Sequence, residues 1–391
     1  MKYLIVIIMV FSIGSCKEKN KSQTTEIKGS SQNVSDKGAL KKVSGGTDNL
    51  VFYVGTYTDG ESQGIYTYAL NSDGELEKLK LVAESDNPSY LAFSKDRKFL
   101  LAVNEIKNEE GVGMVSSFKI QGDSLVLINQ QSSAGAHPCF IAVNDLNYVI
   151  TANYSSGNTG LLKLNDNGNL SEVLDTQQHT GKGSHKRQDA PHAHSVWFYP
   201  SQMDVVAVDL GTNQLWFSSI DSSSNTLQTK SPETLGLNPG DGPRHLAIHP
   251  NKKWIYVLNE LSSTVTLITH DEPDGFVKAK STSMLPNDFN KENTGADIHI
   301  SNDGRFLYAS NRGHNSIVIY EIRDHGELIV VGHEPVRGDG PRNFSLSPDG
   351  SFLLVANQHS NNIISFKRDS DTGLLEFVDE IQAPNPVCLL F

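Results

Sequence analysis

Three cysteines and three tryptophans in 391 residues are the scarcest features of this chain. So few cysteines exclude a disulfide framework and leave stability to hydrophobic burial. Positive charge is also in deficit, with 33 lysines and arginines against 45 aspartates and glutamates, a net charge of −12. A polyanion needs a basic face, so nucleic acid is excluded as a general partner, whereas a small anion in a local basic pocket is not. No long helical pattern interrupts the chain. A nucleophile elbow, a Walker loop or a dinucleotide fingerprint set between a strand and a helix therefore has no place in it. Glycine, at 32 residues, is plentiful and signals many turns.

The opening stretch MKYLIVIIMVFSIGSC places a lysine before a short apolar run, Tyr3 to Phe11, with small residues behind it. That order reads as an export signal rather than a spanning helix. Ile13-Gly14-Ser15-Cys16 resembles a bacterial lipobox, which implies lipidation of Cys16 and a protein held in the cell envelope, touching the membrane only through its lipid. Residues 17–49 carry few large apolar side chains, cannot offset the entropy of ordering, and are expected to form a flexible tether. Residues 50–391 are expected to form the folded domain. Cys139 and Cys388 lie in apolar strand-like runs and are expected to be buried free thiols.

The phrase GDGPRHLAIHP, Gly240 to Pro250, returns as GDGPRNFSLSP, Gly338 to Pro348. Aligned on the proline and on the asparagine that ends the following run, segments 87–105, 137–154, 192–210, 242–260, 295–312 and 340–358 share one pattern. Each is a short alternating run, a polar turn such as Pro-Asp-Gly, and a β-branched and aromatic run ending in Asn or Asp. That is strand, hairpin turn, strand. A third and then a fourth run follow, and four-stranded units recurring about every fifty residues are the blades of a β-propeller. The final NPVCLLF (385–391) matches only the first strand of the unit, while residues 50–70 match its second and third. Six whole units and one split unit predict an all-β, seven-bladed propeller. It closes by pairing the C-terminal strand with the N-terminal blade, which leaves no sheet edge open at the join. A propeller of this size is expected to be a monomer.

In a propeller the first strand of each blade lines the central channel, so residues at its start face the channel mouth. The position after the aligned proline reads Ser89, Cys139, His194, Arg244, Ala296, Arg342 and Val387 around the ring. The position after the aligned asparagine reads Thr56, Glu105, Tyr154, Leu210, Glu260, Arg312 and Gln358. Scaffold positions should repeat; these vary, and several are ionisable. Arg244 and Glu260 from one blade, Arg312 and Arg342 from the next two, and the histidines of PHAH (191–194) converge on one mouth. Such a set suits anion binding and acid–base chemistry. His192 and His194, two apart, point the same way on a regular strand. A metal role for them lacks an acidic cluster and faces repulsion from the arginines, so no metal or other cofactor is expected. Catalytic and structural roles stay open for both. Asp297 and His299, aligned one step further in, are expected to be structural and to face a neighbouring blade. The basic loop 179–189 reads either as a flap over the mouth or as a solvated insertion.

The segments FYVGTYT (52–58), HPCFIAVN (137–144), RQDAPHAHSV (187–196), the two GDGPR phrases, ASNRG (309–313) and LLVANQ (353–358) occur in an order that resembles the lactonase family of seven-bladed propellers. That family includes bacterial 6-phosphogluconolactonases and fungal carboxymuconate cyclases. The resemblance implies a carboxylic ester hydrolase that opens a sugar lactone, a small molecule, without a cofactor. It places catalytic roles on a PHAH histidine, His194 in preference to His192, and on Arg244, Glu260 and Arg312. The remaining mouth residues, His192, Arg342, Glu105 and Gln358, are expected to bind substrate. Cytosolic 6-phosphogluconolactone sits poorly with an export signal, so an unphosphorylated aldonolactone is the other expected substrate. A propeller that binds a ligand or partner without catalysis, and a carboxymuconate-type cycloisomerase, are the competing readings.

Overall fold

The computed structural model describes residues 49–271 and 275–391. The export signal, Cys16 and nearly all of the tether lie outside the described residues. Seven four-stranded antiparallel sheets follow one another around a ring. Blades 1 to 6 begin with the inner strands Leu91–Phe93, Pro138–Val143, Ala193–Phe198, Pro243–Ile248, Thr294–Ile300 and Pro341–Leu346. Blade 7 takes its inner strand, Pro386–Leu390, from the end of the chain and its other three, Leu50–Thr56, Gly64–Leu70 and Leu76–Glu84, from the start. Tyr53 pairs with Leu390, Val54 with Leu389 and Gly55 with Cys388. The expected seven-bladed, terminally closed propeller is what forms.

Burial explains the sequence pattern. Second strands such as Phe99–Asn104 and Phe352–Asn357 are buried along their whole length, because neighbouring blades cover both faces. They therefore read as continuous apolar runs, whereas the outermost strands, such as Leu76–Glu84, are mostly half-buried or exposed. Between blades 6 and 7, Phe52, Tyr68 and Leu389 pack on Phe352, Leu354 and Ile363. Cys139 and Cys388 are buried and unpaired.

The repeated small motifs each have a mechanical cause. Gly304 and Gly350 hold φ of +74° in the Asp-Gly turns, a conformation glycine adopts without steric cost. Arg97, Asn147 and Lys252 take the same left-handed turn in other blades. In four blades the asparagine ending the second strand ties the blade to the incoming connection: the Asn104, Asn153, Asn311 and Asn357 amides donate to the carbonyls of Asp86, Ser133, Met284 and Val336. In both GDGPR copies the last glycine's carbonyl receives the backbone N–H that begins the mouth position of the next strand, Glu260 (2.7 Å) and Gln358 (2.9 Å).

The position after the proline has a different nature. The pairing register slips there in blades 2, 3, 4 and 6, so Cys139, His194, Arg244 and Arg342 are each the extra residue of a β-bulge. Blade 5 slips across Ala296 and Asp297, and blade 7 at Val387. A bulge re-aims one side chain out of the pleat, which frees each blade to present a different group at an identical backbone site. Closure is testable at Leu389, which is 5% exposed. Leu389→Ala is expected to cost about 2–5 kcal/mol in urea unfolding, against about 0.5 kcal/mol or less for the exposed Leu127→Ala.

Candidate active site

The four residues expected to act together do meet. Glu260 is 2% exposed, and its Oε2 accepts from Arg244 Nη1 at 2.6 Å. Its Oε1 accepts from Arg187 Nη1 at 2.6 Å and lies 3.2 Å from Arg312 Nη2. Arg244 Nη1 also lies 2.6 Å from His194 Nε2, and Arg244 Nε donates to the Ala296 carbonyl at 2.8 Å. Arg312 Nη2 donates to the Gly295 carbonyl, while Arg312 Nε is buried with no hydrogen-bond partner. One carboxylate thus serves three guanidiniums. Burial pushes the Glu260 carboxyl up, but Arg244, Arg312 and Arg187 together hold it well below the usual range. Burial and the neighbouring arginines pull Arg312 down to about 9, where it is still charged at neutral pH.

Arg187 was not among the residues singled out from the sequence. It comes from the basic 179–189 loop, which is fastened down rather than free. Gln188 is fully buried, donating to the Leu210 carbonyl and Asn213 Oδ1 and accepting from the His185 amide. Arg187 is delivered beside it and also donates to the Tyr154 hydroxyl at 3.2 Å. The loop's charge was visible in the sequence; the residue within it that reaches the mouth was not, because the loop has no counterpart in other blades.

The two PHAH histidines part company. A guanidinium only donates, so His194 Nε2 accepts from Arg244 and its Nδ1 carries the proton, facing Cys139 Sγ at 3.7 Å. Burial, then Arg244 and His245, hold His194 well below the usual imidazole range, so it is neutral at pH 7. His192 instead stacks on Tyr154, with ring centroids 4.6 Å apart, and its Nδ1 donates to the Tyr154 carbonyl at 3.0 Å. Its Nε2 is left for other partners, 3.7 Å from the exposed Asp189 carboxylate. Both rings nevertheless lie against Tyr154, His192 stacked on it and His194 edge-on with centroids 5.4 Å apart, although His194 is the bulge residue.

Arg342 belongs to a second cluster. Its Nη2 donates to the Tyr57 hydroxyl at 2.6 Å, and Tyr57 donates to Glu105 Oε2 at 2.7 Å. Ser89 Oγ bonds the same oxygen. Arg342 thus reaches a carboxylate through Tyr57, one residue beyond the aligned mouth position, and not through Gln358. Gln358 joins neither cluster: it lines a groove of about 720 Å³ between blades 6 and 7 with Asp59, Tyr66, Lys78 and His359. Asp297 pairs with His299 and with His245 of the neighbouring blade. Among the described residues no group of three or more His, Cys, Asp or Glu is arranged to hold a metal ion. The letters Gly60-Glu-Ser-Gln-Gly64 fit a nucleophile-elbow pattern, but they lie in a strand–strand hairpin where Ser62 is buried against Thr56.

Residues 51–391 match the family model described as lactonase, 7-bladed beta-propeller. The chain belongs to the lactonase family of seven-bladed β-propellers. It is 37% identical over 344 residues to a 6-phosphogluconolactonase of Bacillus subtilis, an alignment covering 87% of this chain and 97% of that one. A 6-phosphogluconolactonase of Formosa agariphila is 35% identical, over 83% of this chain and 94% of its own. Among solved structures, a periplasmic gluconolactonase of Pseudomonas aeruginosa superposes with a TM-score of 0.83 at 31% identity, covering 87% of this chain and 98% of that one.

The charge balance makes a stability prediction. Glu260 titrates below its unfolded value of 4.5, so its stabilisation is complete above that pH and is lost as pH falls through the folded value. Glu260→Gln should therefore cost about 3–5 kcal/mol at pH 7. The gap in melting temperature between wild type and variant should narrow as the pH drops below about 4.5.

Proposed function

We propose that this protein hydrolyses a sugar-derived lactone, an unphosphorylated aldonolactone met in the cell envelope. The observation that carries the reading is the charge imbalance at Glu260: three guanidiniums share one buried carboxylate, and Arg312 Nε–H still lacks an acceptor. The cluster is short of negative charge, and lactone opening creates it, first on the carbonyl oxygen and then as a carboxylate. The relatives described as 6-phosphogluconolactonases and as a gluconolactonase support a lactone as the electrophile. The lipobox-like leader, with Cys16 as the lipidated residue, supports export, and the similarity to a periplasmic gluconolactonase agrees with it. A substrate outside the cytosol argues for the unphosphorylated form.

Roles follow from which groups are free. Glu260 has both oxygens committed to guanidiniums and a strongly depressed pKa, so it is a poor base; it anchors and orients the arginines. His194 has its lone pair on Arg244 and orients that residue. His192, with 18% of its side chain exposed and Nε2 facing only the exposed Asp189 carboxylate, is the general base. It takes a proton from water as the oxygen adds to the lactone carbonyl carbon. The resulting oxyanion forms hydrogen bonds to Arg244 and Arg312. Collapse breaks the bond to the ring oxygen, which leaves with the proton from His192, giving a hydroxy acid. Arg187, 39% exposed and the most accessible of the three, follows the product carboxylate as it departs.

The test is hydrolysis of a lactone panel, each with and without a 6-phosphate, followed by pH-stat. Wild type should open an aldonolactone well above the buffer rate. His192→Asn should lower kcat about 10²–10⁴-fold and Arg244→Met about 10²–10³-fold. A wild type no faster than buffer on every lactone would contradict the reading. Preference for the 6-phosphate would move the substrate to the phosphorylated class, and full activity in His192→Asn would return the base to His194 or Glu260.

A further inference from the structure

Beneath the mouth, a single carboxylate ties three inner strands together directly and a fourth through one side chain. Asp297, in blade 5, is 2% exposed. Its Oδ1 accepts from His245 Nδ1 at 2.9 Å and from the Ile298 amide at 2.9 Å. Its Oδ2 accepts from Asn343 Nδ2 at 2.6 Å, His299 Nε2 at 3.1 Å and the Phe344 amide at 3.2 Å. Asn343 Oδ1 then accepts from the Leu389 amide at 2.7 Å, which carries the tie into blade 7. Burial pushes the Asp297 carboxyl up, but His299 and His245 hold it well below the usual carboxylate range, so it stays ionised.

The partners are placed with a pattern. His245 directly follows Arg244, and Asn343 directly follows Arg342, so the residue after the arginine in each GDGPR copy reaches the same carboxylate. Both arginines are bulge residues, outside the ladder that fixes their neighbours. Something else has to set their direction. For Arg244 the other fixed point is the Ala296 carbonyl, which belongs to the residue preceding Asp297. Glu260 and His194 hold the tip of Arg244, while Asp297 governs the two points nearer its backbone, and one of those that hold Arg342.

We propose that Asp297 is a positioning residue: it clamps the two bulges so that Arg244 and Arg342 project into the mouth at a fixed separation. The proposal rests on the mouth being the lactone site argued above. Asparagine at this position keeps the shape but not the clamp. One oxygen becomes an N–H donor, and either the Ile298 or the Phe344 amide loses its acceptor together with a side-chain tether.

Two readouts on the full chain separate this from a merely structural role. The first is hydrogen exchange at the Arg244 Nε–H in protein labelled with ¹⁵N-arginine, with the signal assigned by its disappearance in Arg244→Lys. Asp297→Asn should lower protection there at least about tenfold while core amides of blade 1 keep theirs. The second is kinetic. Asp297→Asn should lower kcat about 10–100-fold with KM changed less than about threefold, and Asp297→Asn combined with Arg244→Lys should lose less than the product of the two single losses. Unchanged Nε–H protection, or strictly additive kinetic losses, would overturn the proposal. A wild type that opens no lactone defeats the functional reading, and the exchange experiment still judges the clamp. If Asp297→Asn does not fold, His245→Ala severs the blade 4 tether alone. It should release the Arg244 Nε–H and leave the exchange of the Arg342 guanidinium protons unchanged; protection kept at Arg244 in that variant also overturns the clamp.

Discussion

One buried carboxylate under three guanidiniums organises this molecule's channel mouth. Removing ionised groups from water is costly, and Glu260 compensates Arg187, Arg244 and Arg312 only in part. Each guanidinium therefore needs a second partner, and the fold provides it: the Ala296 carbonyl for Arg244, the Gly295 carbonyl for Arg312 and the Tyr154 hydroxyl for Arg187. The residual positive charge is what suits the site to a reaction that generates an anion.

The propeller reconciles repetition with an asymmetric site through the bulge at the start of the inner strands of blades 2 to 7. Up to that point the blades share one backbone plan, which a left-handed turn residue and a strand-ending asparagine serve in most of them. At the next residue the ladder slips, and whatever side chain stands there is turned toward the mouth. Blades 3, 4 and 6 use that freedom for His194, Arg244 and Arg342. Blade 5 turns inward instead, and Asp297 there ties its neighbours on both sides.

Much of this was legible in the sequence, because blades are local units whose pattern repeats. The blade count, the closure and the meeting of His194, Arg244, Glu260 and Arg312 all follow from alignment of the chain with itself. What escaped was whatever the repeat does not contain. Arg187 sits in a loop unique to one connection, and only the folded path of Gln188 shows that it returns to Glu260. Tyr57 lies one residue past the aligned position, so alignment alone does not connect it with Arg342. The bulge cannot be read from apolar spacing, and neither can the different partners of His192 and His194, the Tyr154 carbonyl and Arg244. Residue types disclosed a basic, acid–base mouth; assigning a proton to a particular ring nitrogen required the hydrogen-bond partners of both histidines.

The central claim is that the uncompensated guanidiniums at Glu260 hold the charge created when a lactone opens. A crystal structure with a bound aldonate, the ring-opened product, tests it most directly. The expected result is a carboxylate oxygen within hydrogen-bond distance of Arg312 Nε and of Arg244, with Glu260 still paired beneath them. An aldonate seated in the groove between blades 6 and 7, or bound in the mouth without touching either arginine, would contradict it.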